Sequence, residues 1–133
     1  MEIECRKKIK EMHVFIESWL KGSVEISTQE FQYFEDELDE DFVIIHPSGE
    51  LQTKLDITSD FWNSYGVQSK NFIIEIQNIK MRFESKDICI MNYEEWQTNE
   101  EKSARISTVI FNKSQNINKS NWLHLHETWH PSK

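Results

Sequence analysis

The sequence predicts one α+β domain in which helices come first and an antiparallel sheet follows. Two spacings of apolar residues indicate this order. They recur every three or four positions up to about residue 66, as on one face of a helix, and they alternate from residue 71, as in a strand. A chain of 133 residues also suffices for a core that needs no disulfide or metal. We therefore expect a single domain over residues 1–133.

Two helices are predicted in the N-terminal third of the chain. The first spans residues 3–21 and ends at Gly22, because one apolar stripe runs along it at helical spacing. The stripe consists of Ile9, Met12, Phe15, Ile16, Trp19 and Leu20. The second helix begins after Ser27, which forms a capping box with Glu30. Its apolar face carries Phe31, Phe34 and Leu38.

A short strand and a third helix are predicted next. Residues 42–46 form an apolar strand that a Pro-Ser-Gly turn closes at residues 47–49. The helix begins near Thr53, whose side chain can cap Asp56, and it ends at Gly66. It is strongly aromatic and carries Leu55, Phe61, Trp62 and Tyr65.

Strands are predicted over most of the remaining chain. In the first of them the apolar alternation changes parity, so we place a bulge at residues 77–78 that curves the strand. The next strands are expected at about residues 88–97 and 104–112. The last strand begins at residue 121, after a polar hairpin loop over residues 113–120.

The last strand, WLHLHETWH, has two alternating faces, and neither is fully polar. One face consists of Trp122, His124, His126, Thr128 and His130, and the other of Leu123, Leu125, Glu127 and Trp129. Because leucines suit a dry interior better than imidazoles, we expect the second face to point toward the helices. The histidine face would then be the outer surface of the sheet, covered by a second subunit or a helix.

Glu127 is the candidate catalytic residue. A carboxyl group flanked by Leu125 and Trp129 would be desolvated, which raises its pKa toward the range that is useful for moving a proton. The alternative is a glutamate at the rim of a cavity, either in water or paired with Arg105 or Lys102. Both interpretations stay open at the level of sequence.

Several aromatic side chains combine an apolar body with a polar group, so they could line a ligand cavity or simply fill the core. The candidate ligand-binding residues are Trp19, Tyr33, Trp62, Tyr65, Leu125, Trp129 and His46. His13 is expected on the surface of the first helix. His124 and His126 form an H-x-H pair, but two ligands are too few for a metal site, so we expect no metal.

The charge of the chain disfavours nucleic acid and anionic membranes as partners. Lys and Arg number 15 against 23 Asp and Glu, a net charge of −8. The acidic run over residues 35–40 is expected to be solvated. The N-terminal residues fit neither a signal peptide nor a membrane span, so we expect a cytoplasmic protein in which Cys5 and Cys89 are reduced. With three glycines, nucleotide-binding loops are not expected. We also expect no cofactor.

The order of elements, the turn FVIIHPSGEL, the strand ARISTVIFNK and the terminal W-x-x-x-H strand resemble the SnoaL-like, ketosteroid-isomerase-like branch of the nuclear transport factor 2-like superfamily. IEIQNIKMRFESKDICI is also similar to the calcium/calmodulin-dependent protein kinase association domain. The resemblance implies a cone of three helices on a strongly curved, mostly antiparallel sheet. It also implies a cavity at the wide end, a homodimer across the outer sheet through Trp122, His124 and His126, and carboxyl groups used as in ketosteroid isomerase.

Two departures weaken the transfer of chemistry from these relatives. Thr108 stands where the kinase association domain carries an arginine, and Thr128 stands where related sequences carry a histidine. Arg105 has the opposite parity from Thr108, so it does not replace that arginine without a bulge.

Two functions therefore remain open. The first is a homodimer whose cavity binds a hydrophobic or aromatic small molecule, with Glu127 as a proton shuttle in an isomerase-like step. Binding is favoured over turnover. The second is a non-catalytic homo-oligomerisation or protein-association module in which the cavity is filled core.

Overall fold

The structure is a computed structural model that describes residues 2–113 and 120–132. Its helices are α1 (Glu2–Lys21), α2 (Thr28–Glu37) and α3 (Lys54–Asn63). Its strands are β1 (Leu38–Ile45), β2 (Leu51–Thr53), β3 (Ile73–Glu84), β4 (Ile88–Thr98), β5 (Lys102–Lys113) and β6 (Ser120–Trp129). Most of the hairpin loop expected at residues 113–120 lies outside the described residues.

The strands form one curved sheet in the order β2-β1-β6-β5-β4-β3. Neighbouring strands are antiparallel except for β1 and β6, which are parallel. The helices pack on one face of this sheet and bury a continuous core with it. The predicted α+β cone with a mostly antiparallel sheet is therefore confirmed. No helix among the described residues is long and apolar enough to cross a membrane.

Both predicted helix caps are present. The Ser27 side chain accepts a hydrogen bond from the Glu30 backbone N–H, and Thr53 forms a capping box with Asp56. The third helix ends at Asn63, earlier than predicted, and the backbone N–H of Gly66 donates to the Trp19 carbonyl at the end of α1. The short strand β2 was not predicted, since three residues carry too little periodicity.

The predicted bulge in β3 is confirmed. The pairing between β3 and β4 shifts between Gln77 and Lys80, and Asn78 has a φ of 55°. Such a left-handed residue is uncommon outside glycine, although asparagine tolerates it better than most residues.

A second bulge, in β6, makes one prediction wrong. Ile110 pairs with His124 and Phe111 pairs with Trp122, so Leu123 is the extra residue. The extra residue reverses the alternation, and the Trp122 side chain points into the core with 2 % of its surface exposed. Trp122 is therefore not part of the outer face of the sheet.

Two side chains expected at the surface are buried. Glu37, part of the acidic run, forms an ion pair with Lys8 at 3.0 Å. His13 packs between α1 and the sheet rather than on the helix surface. Cys5 and Cys89 are buried free thiols, and burial raises the pKa of both.

Candidate functional site

The inner face of the sheet consists of side-chain rows that cross β4, β5 and β6. Two rows are apolar, and their side chains are nearly or fully buried. We call this the dry end; it comprises Cys89, Met91, Val109, Phe111 and Trp122. Two further rows on the same strands bring Glu95 beside Arg105 and Ser107 beside Glu127. Glu95, Arg105 and Glu127 form the polar end together with two histidines, His13 and His46.

A cavity of about 100 Å³ lies between the helices and the sheet, and we call it the hollow. Its walls are mostly apolar and come from all three helices, β1 and β6, while the five residues of the polar end line one part of it. The apolar lining consists of Met12, Ile16, Phe34, Leu38, Phe42, Ile44, Ile57, Phe61, Trp122 and Leu125. An apolar cavity with a few converging polar groups is the usual form of a small-molecule site.

Glu127 is 5 % exposed and lies among the polar groups of the hollow. Its Oε1 atom is 3.2 Å from Arg105 Nη1 and 3.8 Å from His46 Nδ1, and Ser107 Oγ donates to Oε2 at 3.5 Å. Burial raises the pKa of Glu127, and the charge of Glu95 raises it further. Arg105 and His46 oppose this shift without cancelling it.

His13 and Glu95 form a buried pair. His13 Nδ1 is 2.7 Å from the Ile9 carbonyl oxygen, and its Nε2 is 3.0 Å from Glu95 Oε1. Because a carbonyl oxygen only accepts, Nδ1 carries a hydrogen, and one further proton lies at the contact between Nε2 and the carboxyl group. Burial opposes both charges, yet mutual attraction holds the pKa of His13 above and that of Glu95 below its usual value. The pair therefore has no net charge.

Arg105 contacts Glu127 through Nη1 at 3.2 Å, and Glu127 in turn lies 3.8 Å from His46. The Arg105 guanidinium lies 5.2 Å from the Trp129 ring. Its Nε atom is buried and has no hydrogen-bond partner among the described residues. A buried donor without a partner is unfavourable, so this N–H is an unsatisfied group of the site.

A surface depression of about 410 Å³, which we call the mouth, adjoins the hollow. The two share His46, Ile57, Phe61 and Arg105, and the mouth is otherwise lined by Pro47, Ser48, Glu50, Gln52, Asp60, Ser64 and Trp129. The turn after β1 places His46 here, because Gly49 at φ 92° donates its N–H to the His46 carbonyl.

The hydrogen bonds at the mouth determine that Nε2 of His46 carries a hydrogen. Gln52 Nε2 donates to Asp60 at 2.6 Å, so the Gln52 side-chain oxygen faces His46 Nε2 at 2.7 Å. Nε2 therefore carries a hydrogen, and in the neutral imidazole Nδ1 is an acceptor that faces Glu127. His46 thus lies between the buried carboxyl group and solvent.

The structure brings three of the predicted site residues together at the hollow, namely His46, Leu125 and Glu127. Trp129 lines the mouth instead and is 50 % exposed, because it lies near the end of β6. The other predicted ligand-binding residues lie elsewhere, as packing between the helices requires.

Trp19 is fully buried and donates from Nε1 to the Phe61 carbonyl at 2.6 Å. Tyr65 donates its hydroxyl to the Val24 carbonyl, and Tyr33 packs beside Phe15. Trp62 lines a separate groove of about 480 Å³ between α2 and α3. These four side chains therefore do not line the hollow.

His13 and Glu95 were not singled out as site residues from the sequence, and Arg105 was named only as a possible ion-pair partner of Glu127. Glu95 continues the inward parity of Met91 and Tyr93, a signal that alternation in β4 could have given. His13 is one turn beyond Ile9 on the apolar stripe of α1, which is the corresponding helical signal.

The outer H-x-H pair does not form a metal site with other described residues. The rings of His124 and His126 are 6.4 Å apart, and the described part of the chain holds no group of three His, Cys, Asp or Glu side chains arranged for a metal ion.

Residues 5–131 match the family described as sucrose-6-phosphate phosphohydrolase C-terminal. The chain belongs to this family. Sucrose-phosphatase 1 of Nicotiana tabacum is 24 % identical over 127 residues, which are 92 % of this chain and 30 % of the tobacco protein. The chain thus spans less than a third of the length of the tobacco protein.

Solved structures place the chain in the nuclear transport factor 2-like superfamily, as predicted. A nuclear transport factor 2-like protein of unknown function from Pseudomonas aeruginosa has a TM-score of 0.86 and 26 % identity, covering 96 % of this chain and 98 % of that chain. The association domain of calcium/calmodulin-dependent protein kinase II from Caenorhabditis elegans has a TM-score of 0.68 at 9 % identity, with 96 % of each chain covered. The second likeness concerns the fold alone.

Proposed function

We propose that the hollow binds a small organic molecule and that Glu127 exchanges a proton with it. The observation that carries this proposal is a nearly buried carboxyl group, with a raised pKa, at the polar part of an otherwise apolar cavity. A carboxyl group in such a place holds its proton closer to neutral pH than one in water, which suits general acid–base chemistry.

The other polar residues have supporting roles in this proposal. His46 connects Glu127 with the mouth, so a proton can pass between the hollow and solvent through its imidazole. Both ring nitrogens of His13 are occupied, by the Ile9 carbonyl and by Glu95. His13 therefore holds Glu95 in place and does not itself act as the base.

The volume of the hollow limits the size of the ligand. A dry cavity of about 150 Å³ is filled by benzene, so about 100 Å³ holds an apolar group somewhat smaller than one ring. A polycyclic guest does not fit inside. A larger ligand would leave its polar part in the mouth, beside Arg105 and Trp129.

Hydrogen–deuterium exchange on small carbonyl compounds tests the proton transfer. Butanone and propanal in D₂O serve as probes, and NMR follows the loss of the hydrogens next to the carbonyl group. We expect the protein to accelerate exchange and Glu127→Gln to lower the acceleration by about a hundredfold or more. Glu75→Gln, which alters an exposed glutamate of β3, is the matched control and should leave exchange unchanged.

If wild-type protein and Glu127→Gln accelerated deuterium exchange equally, the Glu127 carboxyl group would have no part in the proton transfer. Thermal unfolding of both variants shows whether the fold is intact, so a loss of exchange is not mistaken for a loss of structure.

A second candidate function, homo-oligomerisation, is favoured by the outer face of the sheet. Ile90, Ile110 and His124 are adjacent across three strands and are only partly exposed. An apolar outer surface of this kind suits a second copy of the chain. Ile110→Glu should convert a dimer to a monomer in light scattering, whereas Val14→Glu on the exposed side of α1 should not; a monomeric wild type would contradict this candidate.

A further inference from the structure

The net charge of the side chains that line the hollow restricts the charge that a ligand can carry. His13 and Glu95 neutralise each other at a contact of 3.0 Å. Arg105 carries a permanent positive charge, and Glu127 is its acidic partner at 3.2 Å. The polar end is therefore neutral when Glu127 is ionised and carries one positive charge when Glu127 is protonated, before any charge on His46.

Arg105 has unused hydrogen-bonding capacity. Its contact with Glu127 involves Nη1 only, and its buried Nε has no partner among the described residues. A guanidinium presents two parallel N–H groups that match the two oxygens of a carboxylate. The present contact with Glu127 uses one of them, so it is not the best pairing available to Arg105.

We propose that the hollow takes a short-chain monocarboxylate, whose carboxylate binds Arg105 in place of Glu127, and that Glu127 takes up one proton from solvent as the ligand binds. This inference rests on the proposed ligand site but requires no turnover. Replacing Glu127 at Arg105 by the ligand keeps the net charge of the polar end at zero. The ligand brings one negative charge, and the proton neutralises the negative charge of Glu127. Burying an uncompensated charge would cost far more.

The surroundings of Glu127 favour that proton uptake. The ionisable side chains that face it are His13 from α1, His46 after β1, Tyr93 and Glu95 from β4, and Arg105 from β5. Once the ligand occupies Arg105, Glu127 loses its strongest cation and keeps the repulsion of Glu95 in a buried position. The raised pKa of Glu127 in the free protein is consistent with this.

The apolar walls set the length of the ligand. With its carboxylate at Arg105, where the hollow meets the mouth, the hydrocarbon tail extends toward Phe34, Ile44 and Leu125. The volume of about 100 Å³ accommodates a tail of a few carbons. Propionate and butyrate fit these limits, and octanoate does not.

Isothermal titration calorimetry tests the proposal on the whole chain. Butyrate is titrated at pH 6, 7 and 8 in phosphate and in imidazole, whose different heats of ionisation reveal the number of protons taken up. We expect uptake to approach one proton per butyrate as pH rises above the pKa of Glu127. Affinity should then fall by up to tenfold per pH unit, since the protonated form binds.

Three comparisons isolate the groups involved. Butyramide, the neutral isostere, should bind at least tenfold more weakly than butyrate. Arg105→Met should abolish butyrate binding, while Arg82→Met, which alters an exposed arginine of β3, should retain it. Glu127→Gln should bind butyrate without proton uptake and with an affinity that no longer depends on pH.

Equal affinity for butyramide, butyrate binding to Arg105→Met, or zero proton uptake at all three pH values would each overturn the proposal. The absence of any binding by propionate and butyrate would do the same. Butyrate binding with proton uptake but without deuterium exchange on carbonyl probes would leave this inference standing and refute the proton-transfer function alone.

Discussion

The dry end and the polar end of the inner sheet face lie on the same strands, yet they serve different purposes. At the dry end, Met91, Val109 and Phe111 are fully buried and pack against Trp122. At the polar end, Glu95 and Glu127 are each only 5 % exposed, although burying a carboxylate is unfavourable. The same alternation of side chains therefore builds a core at one end and concentrates ionisable groups at the other.

The difference shows where this fold tolerates buried ionisable side chains. The polar end tolerates its buried charges because His13 pairs with Glu95, whereas the contact of Glu127 with Arg105 only partly offsets the cost of ionising Glu127. The dry end contributes stability through apolar burial that no change of pH alters. Substitutions at the two ends should therefore differ in how their effect on stability depends on pH.

The largest effect is expected at the dry end. Phe111→Ala removes a fully buried ring between Cys89 and Trp122, and should lower the free energy of unfolding by about 4 kcal/mol. Urea denaturation at pH 5.5 and pH 8 should give the same loss. A loss that differs between the two pH values by more than the error would show that the dry end is coupled to the ionisable groups.

The next effect is expected at the buried pair. Glu95→Gln leaves His13 without its carboxylate, and should lower the free energy of unfolding by about 3 kcal/mol. The double variant with His13→Gln should recover part of that loss, because both charges are then absent. Glu75→Gln is the exposed control, and a double variant whose loss is the sum of the single losses would contradict the pairing.

Acid should destabilise the protein through Glu95. Its folded pKa lies below the usual value of 4.5, so the carboxylate contributes stability above pH 4.5 that is lost as pH falls through the folded pKa. The free energy of unfolding should decrease by up to about 1.4 kcal/mol per pH unit in this range for this one group. Denaturation of Glu95→Gln should show a shallower pH slope than wild type, and an equal slope would refute the assignment.

The smallest effect concerns Glu127, with the opposite sign. Its folded pKa is raised, so ionising it in the folded state costs stability as pH rises from 4.5 through the folded pKa. Glu127→Gln should therefore raise the free energy of unfolding by about 1 kcal/mol at pH 8 and leave it unchanged at pH 3.5. A destabilised variant at pH 8 would indicate that the contact with Arg105 outweighs the burial.

The sequence predicted the elements well and the site only in part. Helical spacing and the caps at Ser27 and Thr53 were sufficient for the helices, and the parity change in β3 located its bulge. The bulge at Leu123 has no such signature, because both faces of the last strand carry apolar residues. The assignment of Trp122 failed for that reason.

Only the part of the site that follows from side-chain alternation within one strand could be predicted. Alternation below the bulge placed Leu125 and Glu127 on the inner face of β6. The pairing of His13 with Glu95 joins residues 82 positions apart, and no local pattern specifies such a contact. The aromatic residues of the helices, such as Trp19, were indistinguishable from cavity residues because core and cavity use the same side chains.

Direct measurement of the pKa of Glu127 tests whether this carboxyl group can exchange a proton with a ligand in the hollow. Glutamate labelled with ¹³C at its carboxyl carbon can be titrated by NMR, with the Glu127→Gln variant identifying the resonance. The structure predicts a pKa above the ordinary value of 4.5, because burial and Glu95 outweigh Arg105. A value at or below 4.5 would show a stably ionised carboxylate and would contradict the proposed role of this residue.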